Sequence, residues 1–541
     1  VPQLQLVQGA YEARSVIANA QRCINLYPEL NTKDAEVPYT HYCTPGLVTL
    51  TQGNVAEVRQ LYTASNGLLF AVIGDTVYYV PDSFVLQPLG TIATQNGLVS
   101  MYDNKFTLII LDGSLFGWSV NLTTLAFAPF SPANFVGGNQ VRYIDTFLVS
   151  STLNGNIQSS DSNAETYTAL ASATMTGDAD QLQIIDVVHK EIWSFGRRTT
   201  EVWSNVGAFP FPFQPIPGVF LQHGIAALRS LAKWGLNIFW LSQDNNGEAL
   251  VMMGTAYKAD VISTPAITEA IGGYETINDA IGFCYQQGSH MFYVLTFPTA
   301  DHTWVYDLST QLWHERAWMD QNGALHRHRA NCVAFAYGKT ICGDWQNGKL
   351  YNWDLHAYTD DGSDILRLRS FPHIVSSLDR ISYKQFMADI EVGTYLDAPI
   401  ITTGDVTVGS TTINNIPSTS KFIIGQLITG ADIQAGATVV NVDSGSSITI
   451  SLPATATVVG ETLTFENPTP DPQLSLRWSD DRGVSFGNVV QQSLGHTGEY
   501  KTIPSWNRLG FARDRVFELS WTASAATALN GAFIDVEKME T

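Results

Sequence analysis

The sequence predicts an all-β protein: a β-propeller of about seven blades, followed by a C-terminal β-sandwich with a small inserted β domain. Three observations carry that prediction. The chain is rich in Gly, Thr and aromatic residues, and only 15% of it is charged, which suits pleated sheets better than helical bundles. A strand-turn-strand unit recurs through the first two thirds. Beyond it the composition changes twice, and at 541 residues the chain is long enough for roughly two to four domains.

Taken in order, residues 1–43 contain "YEARSVIANAQRCINLYPELN", which has few strand signals and reads as an N-terminal arm or ring decoration. The propeller is expected over 44–360. Its units start near 59, 98, 141, 182, 229, 280 and 331, spaced by roughly 40 to 50 residues, the length of a four-stranded blade. The third is the least regular, and six blades is the alternative count. In several units a turn glycine precedes an aliphatic-aromatic strand, as in "GSLFGW" at 113–118 and "GKLYNW" at 348–353. A propeller must close, and "TPGLVTL" at 44–50 is the strand expected to complete the last blade from the N-terminal side. Residues 361–400 and 467–541 read as the sandwich. Between them 401–466 lacks Trp and Tyr, has Lys421 as its one basic residue, and reads as an independent immunoglobulin-like β module. Surface loops accept such insertions because closure entropy grows slowly with length.

The formal net charge of −21 argues against a sequence-tolerant nucleic-acid binder, which needs basic surface to displace counterions. An acidic protein can still surround DNA that must slide without sticking. Cys23, Cys43, Cys284, Cys332 and Cys342 are odd in number and scattered, and read as reduced, mostly buried thiols, with Cys332 and Cys342 placed to face each other across a hairpin. No apolar run approaches the roughly 20 residues of a membrane span, and no signal-peptide pattern opens the sequence.

Motifs with chemical meaning are few. "WSDDRGVSF" at 478–486 fits the Asp-box pattern, with Ser479, Asp481, Gly483 and Phe486 in the defining places. It resembles the hairpin of sialidases and other β-propeller glycosidases. Asp bonds its own backbone and Gly accepts positive φ, so the motif folds a turn and touches no substrate. It occurs once and outside the propeller, so it is read as structural. "YGKT" at 337–340 lacks the earlier glycine of a phosphate loop, since Val333 stands there. "HRHR" at 326–329, near His314, interleaves arginines that repel a cation and reads as a solvated loop rather than a metal site. Neither a cofactor nor a metal is expected. Arg59, Arg142, Arg197, Arg198 and Arg229 would have to converge for a sialidase-like site, and most sit at strand starts. "RVFELSW" at 515–521 alternates as a half-buried strand. Arg508, Arg513 and Arg515 are expected to cluster around Asp514 as a docking surface for an acidic neighbour.

"NAQRCINLYPEL", "GDWQNGKLYNWDL" and the ending "LRWSDDRGVSFGN…GEYKTIPSWNRLGFARDRVFELSW" together resemble the packaged-DNA stabilisation, or tail hub, proteins of short-tailed bacteriophages. The resemblance spans nearly the whole chain except 401–466. It implies a non-enzymatic structural virion protein in the phage tail, assembled in the host cytoplasm. Six copies would form a ring below the portal and its adaptor ring, continue the DNA channel without sequence-specific binding, and anchor needle, spike or fibre proteins. The competing expectation is a tail-borne propeller that binds or cleaves glycans, which would need two carboxylates flanking a cleft.

Overall fold

The computed structural model describes the chain except residues 1–3, 8–14, 16–18, 33–34, 36, 245, 394–399, 420–421, 423–424, 467–471, 496–501 and 540–541. Lys421 therefore lies outside the described residues. Seven antiparallel four-stranded blades form the propeller, with first strands at Val58–Thr63, Ser100–Asp103, Gln140–Ile144, Ile184–Val188, Ala232–Trp234, Ile281–Gln287 and Ala330–Ala336. The count is seven rather than six.

Seven separate apolar cores, one at each blade junction, close the circle. Phe70, Val72, Met101 and Leu108 fill the junction of blades 1 and 2. Val58, Leu69, Cys332 and Ile341 fill that of blades 7 and 1. The continuous runs "LFAVI" at 69–73 and "TLIIL" at 107–111 are thereby explained: a second strand buried between two neighbours is apolar on both faces. The outermost strand of blade 7 is Gly46–Gln52, paired antiparallel with Lys349–Asp354, so the N-terminal segment closes the ring. Cys332 and Cys342 do not face each other. They are registered opposite Gly343 and Val333, and their thiols enter different junction cores.

Outer strands are guarded. Pro88, Pro129, Pro215 and Pro217 lie in those of blades 1, 2 and 4, where a missing N–H discourages edge-to-edge pairing. Blade 6 is continued instead: its outer strand Leu312–Glu315 pairs in parallel with Cys23–Ile24, which pairs with Arg367–Ser370. From there the sheet runs through Asp514–Trp521 and Gln473–Ser479 to Val490–Ser493. This is one layer of the sandwich. The other holds Leu26–Leu30, Tyr39–Cys43, Thr527–Lys538, Ile381–Val392 and Ser505–Asn507, in that order. Leu26, Phe386, Trp506, Phe517, Trp521 and Ile534 fill the space between the layers.

The segment expected to be an arm over 1–43 thus supplies strands to both sandwich layers. Its strands are only two to five residues long, and between two of them Asn25 takes a left-handed backbone conformation (φ 54°). The Asn25 amide donates to the carbonyls of Ala317 and Leu366 and its Oδ1 accepts from Ala317 N–H, tying propeller to sandwich. A second tie is His290 in blade 6, whose Nδ1 lies 2.7 Å from Asp307 and whose Nε2 lies 3.2 Å from Glu29.

Asp307, then desolvation working against it, then Glu29 set the balance for His290, and its pKa is raised. A raised histidine pKa gives stability that is fully present below the ordinary value of about 6.5 and lost as pH rises through the folded value. Asp360, pushed up to about 7 by burial, acts with the same sign, because the penalty of ionising it grows as pH rises toward that value. These two groups pull stability down between pH 6 and 8, against the buried neutral His41, His314 and His328, which pull it up, so relative to wild type the His290→Phe variant should gain stability as pH rises over that range. Urea unfolding at each pH checks it.

The inserted module consists of two three-stranded sheets, Ile400–Val406, Val458–Glu466 and Leu427–Thr429 against Thr412–Ile413, Ser447–Ile450 and Val439–Ser444. It has its own core, in which Phe422 stacks on Phe465 at 4.0 Å.

One glycine is fixed by geometry. Gly348, in the turn before the strand that receives Gly46–Gln52, has φ +71°, and a Cβ there would lie 1.9 Å from the Asn54 carbonyl oxygen. Gly348→Ala is expected to cost about 2 kcal/mol or more in chemical unfolding, through both backbone strain and the clash.

Candidate functional site

The first strands of the blades converge on a central pit of about 210 Å³. Three arginines line it, Arg59 from blade 1, Arg142 from blade 3 and Arg229 from the link into blade 5, and no carboxylate does among the described residues. Arg197 and Arg198 stay outside, exposed in a turn of blade 4 whose backbone N–H groups donate to Asp180.

Each pit arginine is already occupied. Arg59 is 2% exposed and donates to the carbonyls of Gly74, Thr94, Asn96 and Gly97, while burial lowers its pKa to about 10. Arg142 forks onto Asp186 at 2.7 and 3.1 Å. Asp186 is fully buried, and burial alone would raise its pKa. The charges of Arg142 and Lys233 more than offset this and hold it well below the usual carboxylate range. Arg229 meets Glu57 at 2.6 Å, and Glu57 also accepts from Asn331. A sialidase-like grip on a carboxylate needs guanidinium groups left free for the ligand. Here one joins blades 3 and 4, one crosses from the link into blade 5 to the link into blade 1, and one ties blade 1 to its link with blade 2.

The Asp-box residues build a turn between Gln473–Ser479 and Val490–Ser493. The Ser479 hydroxyl donates to Asp481 Oδ1 (2.6 Å) and accepts from Gly483 N–H (2.7 Å). Asp481 also accepts the N–H and hydroxyl of Ser485, and these hydrogen bonds lower its pKa to about 2. Gly483 has φ +88°. Phe486 lies half-buried under the Arg477 guanidinium, 4.8 Å from ring centre to carbon.

The three arginines expected to form one docking surface do not stay together. Arg515 is 2% exposed and points into the sandwich core, against Tyr383, Trp478 and Phe517. Its fork is held by Asp480 of the Asp-box turn at 2.5 and 2.9 Å, and it donates to the Leu509 carbonyl. It is a structural cation and unavailable to a partner. Asp514 pairs instead with His373 (2.7 Å) and Arg482 (3.5 Å). Arg508 and Arg513 are exposed, Arg513 donating to the Leu378 carbonyl.

"HRHR" is not a solvated loop either. His328 is buried and stacks on Trp353, Arg327 lies 4.0 Å over Trp345, and Arg329 lies 3.9 Å over Trp318 while pairing with Asp344. Tryptophans distant in sequence supplied the apolar partners. Among the described residues no group of three or more His, Cys, Asp or Glu is set to hold a metal.

The propeller's two faces differ. In an antiparallel blade the first-to-second and third-to-fourth turns share one face, and the remaining turns share the other with the links between blades. The turn face exposes Phe106 (72%), Phe209 (89%), Leu236 (60%) and Phe335 (68%). It also holds a cleft of about 530 Å³ lined by Trp234, Val333 and Phe335, and one of about 210 Å³ lined by Trp193, Leu236 and Tyr257. The linker face exposes Asp178, Glu248, Glu269, Glu275 and Asp301, together with Val55, Leu115 and Phe116. Sequence alone did not find these clefts, because turn residues gain a common face only once seven blades share one orientation.

Comparison with known proteins agrees with this architecture. The family model described as "Bacteriophage P22 Gp10, beta-propeller" matches residues 2–358, which include all seven blades. Most of the sandwich, including the ending on which part of the resemblance rested, lies beyond the match. Among solved structures, the WD40 β-propeller domain of Doa1 is 14% identical and matches with a TM-score of 0.38, covering 57% of this chain and 98% of that one. No curated protein sequence matches the chain. Over residues 2–358, which hold all seven blades, the chain belongs to the bacteriophage P22 Gp10 β-propeller family.

Proposed function

We propose that the chain is a structural virion protein of a short-tailed phage. Copies of it form a ring, a hexamer on the family's pattern, that closes the head after packaging and extends the DNA channel. The ring seats on the portal-adaptor and anchors needle, spike or fibre proteins, and the chain carries out no catalysis. The observation that carries this reading is the family match across the whole propeller.

Two features support it. The pit presents no pair of carboxylates at the roughly 5–9.5 Å that glycoside hydrolysis needs, and its arginines are bonded internally. Phe106, Phe209, Leu236 and Phe335 on the turn face, with the two clefts there, mark a surface that packs against protein, while the acids exposed on the linker face do not hold phosphates. Arg508 and Arg513 offer a second contact, to an acidic neighbour.

Native mass measurement and electron microscopy of the chain, with and without its adaptor ring, test the proposal. Six-membered rings on the adaptor are expected, and Phe335→Asp together with Leu236→Asp should reduce assembly at least tenfold without unfolding the monomer. A chain that stays monomeric on the adaptor, or that hydrolyses a polysaccharide, would overturn the reading.

A further inference from the structure

We infer that the protein holds a buried site for a small inorganic anion of the halide class, seated on the guanidinium of Arg316 where blade 6, blade 7 and the strand Leu26–Leu30 meet. Arg316 is 1% exposed, and its Nε, Nη1 and Nη2 are all buried with no hydrogen-bond partner among the described residues. Three rings surround it, Tyr285, Phe292 and Trp353, with centroids 5.1 to 5.2 Å from the guanidinium carbon. Their faces attract a cation, but they offer no lone pair to its N–H groups. The Tyr285 hydroxyl lies beside the guanidinium and donates to Gln287 Oε1, and as a neutral acceptor it carries no charge to balance Arg316.

Neighbouring polar groups lack partners as well, and none of them carries negative charge. Both ring nitrogens of His314 and the amide nitrogen of Gln287 are buried without a partner. Burial, and then the charge of Arg316, keep His314 neutral, so one of its nitrogens carries a hydrogen. Nearby carboxylates are committed elsewhere: Asp307 to His290, Ser309 and Thr310, Asp344 to Arg329 and Tyr351, and Glu315 to Arg22. Asp360, whose Oδ1 is also buried without a partner, senses the Arg316 charge but makes no salt bridge with it, and burial pushes its pKa up to about 7.

A buried cation among unsatisfied donors needs an acceptor that carries negative charge. A metal ion would be repelled, and water alone would satisfy the N–H groups without balancing the charge. Rings on three sides favour a monatomic anion over a phosphate. Such an ion would also brace the point where propeller and sandwich join.

The test is a crystal of the full chain grown in sodium bromide, with data collected at the bromine edge. An anomalous peak within about 3.5 Å of the Arg316 nitrogens is expected. Melting temperature should rise saturably with bromide, and more than with sodium gluconate at equal ionic strength. Arg316→Met should abolish both effects. Ordered water at the guanidinium with no anomalous signal, or an Asp360 carboxylate moved into contact with Arg316, overturns the inference from the wild-type crystal alone, even if the variant does not fold.

Discussion

Replacing Asp186 with alanine is expected to lower the unfolding free energy by about 3–5 kcal/mol, the usual cost of leaving one partner of a buried ion pair alone. Asp186 is 1% exposed and sits between Arg142 of blade 3 and Lys233 of blade 5, accepting from both. Without it the Arg142 guanidinium keeps only the Val141 carbonyl and the Ser100 hydroxyl, with the Tyr102 ring 5.6 Å away. The loss should appear as a lower urea midpoint. Pairing Asp186→Leu with Arg142→Met should recover much of it, since a matched apolar pair does not strand a charge. If Asp186→Ala unfolds at the wild-type midpoint, the pit arginines are not what binds the blades together.

The second large effect concerns ring closure. Leu47 is 1% exposed and packs with Cys342, Tyr351 and Trp353, and its strand completes blade 7. Leu47→Asp forces a carboxylate into that apolar space, and about 4 kcal/mol or more should be lost. Val48, the next residue, points outward at 43% exposure, so Val48→Asp should change stability by only about 0.5 kcal/mol. Thermal unfolding separates the two variants, and limited proteolysis near 44–54 should cleave the first and spare the second.

Blade positions were legible because each blade repeats the same burial problem. The expected starts near 59, 98, 141, 182, 229, 280 and 331 fall within three residues of the first strands. The closing strand was legible from the need of a ring to close. The N-terminal strands were not, because two to five residues are too few to show a period, and Ile24, Leu26 and Tyr27 take their burial from partners some 300 residues away.

Arg515 was misplaced for another reason. The alternation of "RVFELSW" puts residue 515 on the same face as Phe517, Leu519 and Trp521, so the core direction was present in the pattern. The strand is also buried on both faces between Arg367–Ser370 and Gln473–Ser479, so it is central rather than half-buried. Asp480, the residue that neutralises Arg515, came from a turn whose Asp-box pattern had drawn attention to Asp481. The pit is a similar case: its arginines can be named singly, but their pairing with Asp186 and Glu57 depends on which inner strands meet around the pit.

Ile400 and Phe465, at the two ends of the inserted module, are direct partners on adjacent strands. The polypeptide therefore enters and departs through a single doorway, and whatever folds beyond it makes little demand on the span between the host strands. A module of different internal fold whose two ends lie equally close could therefore take its place without straining the host strands.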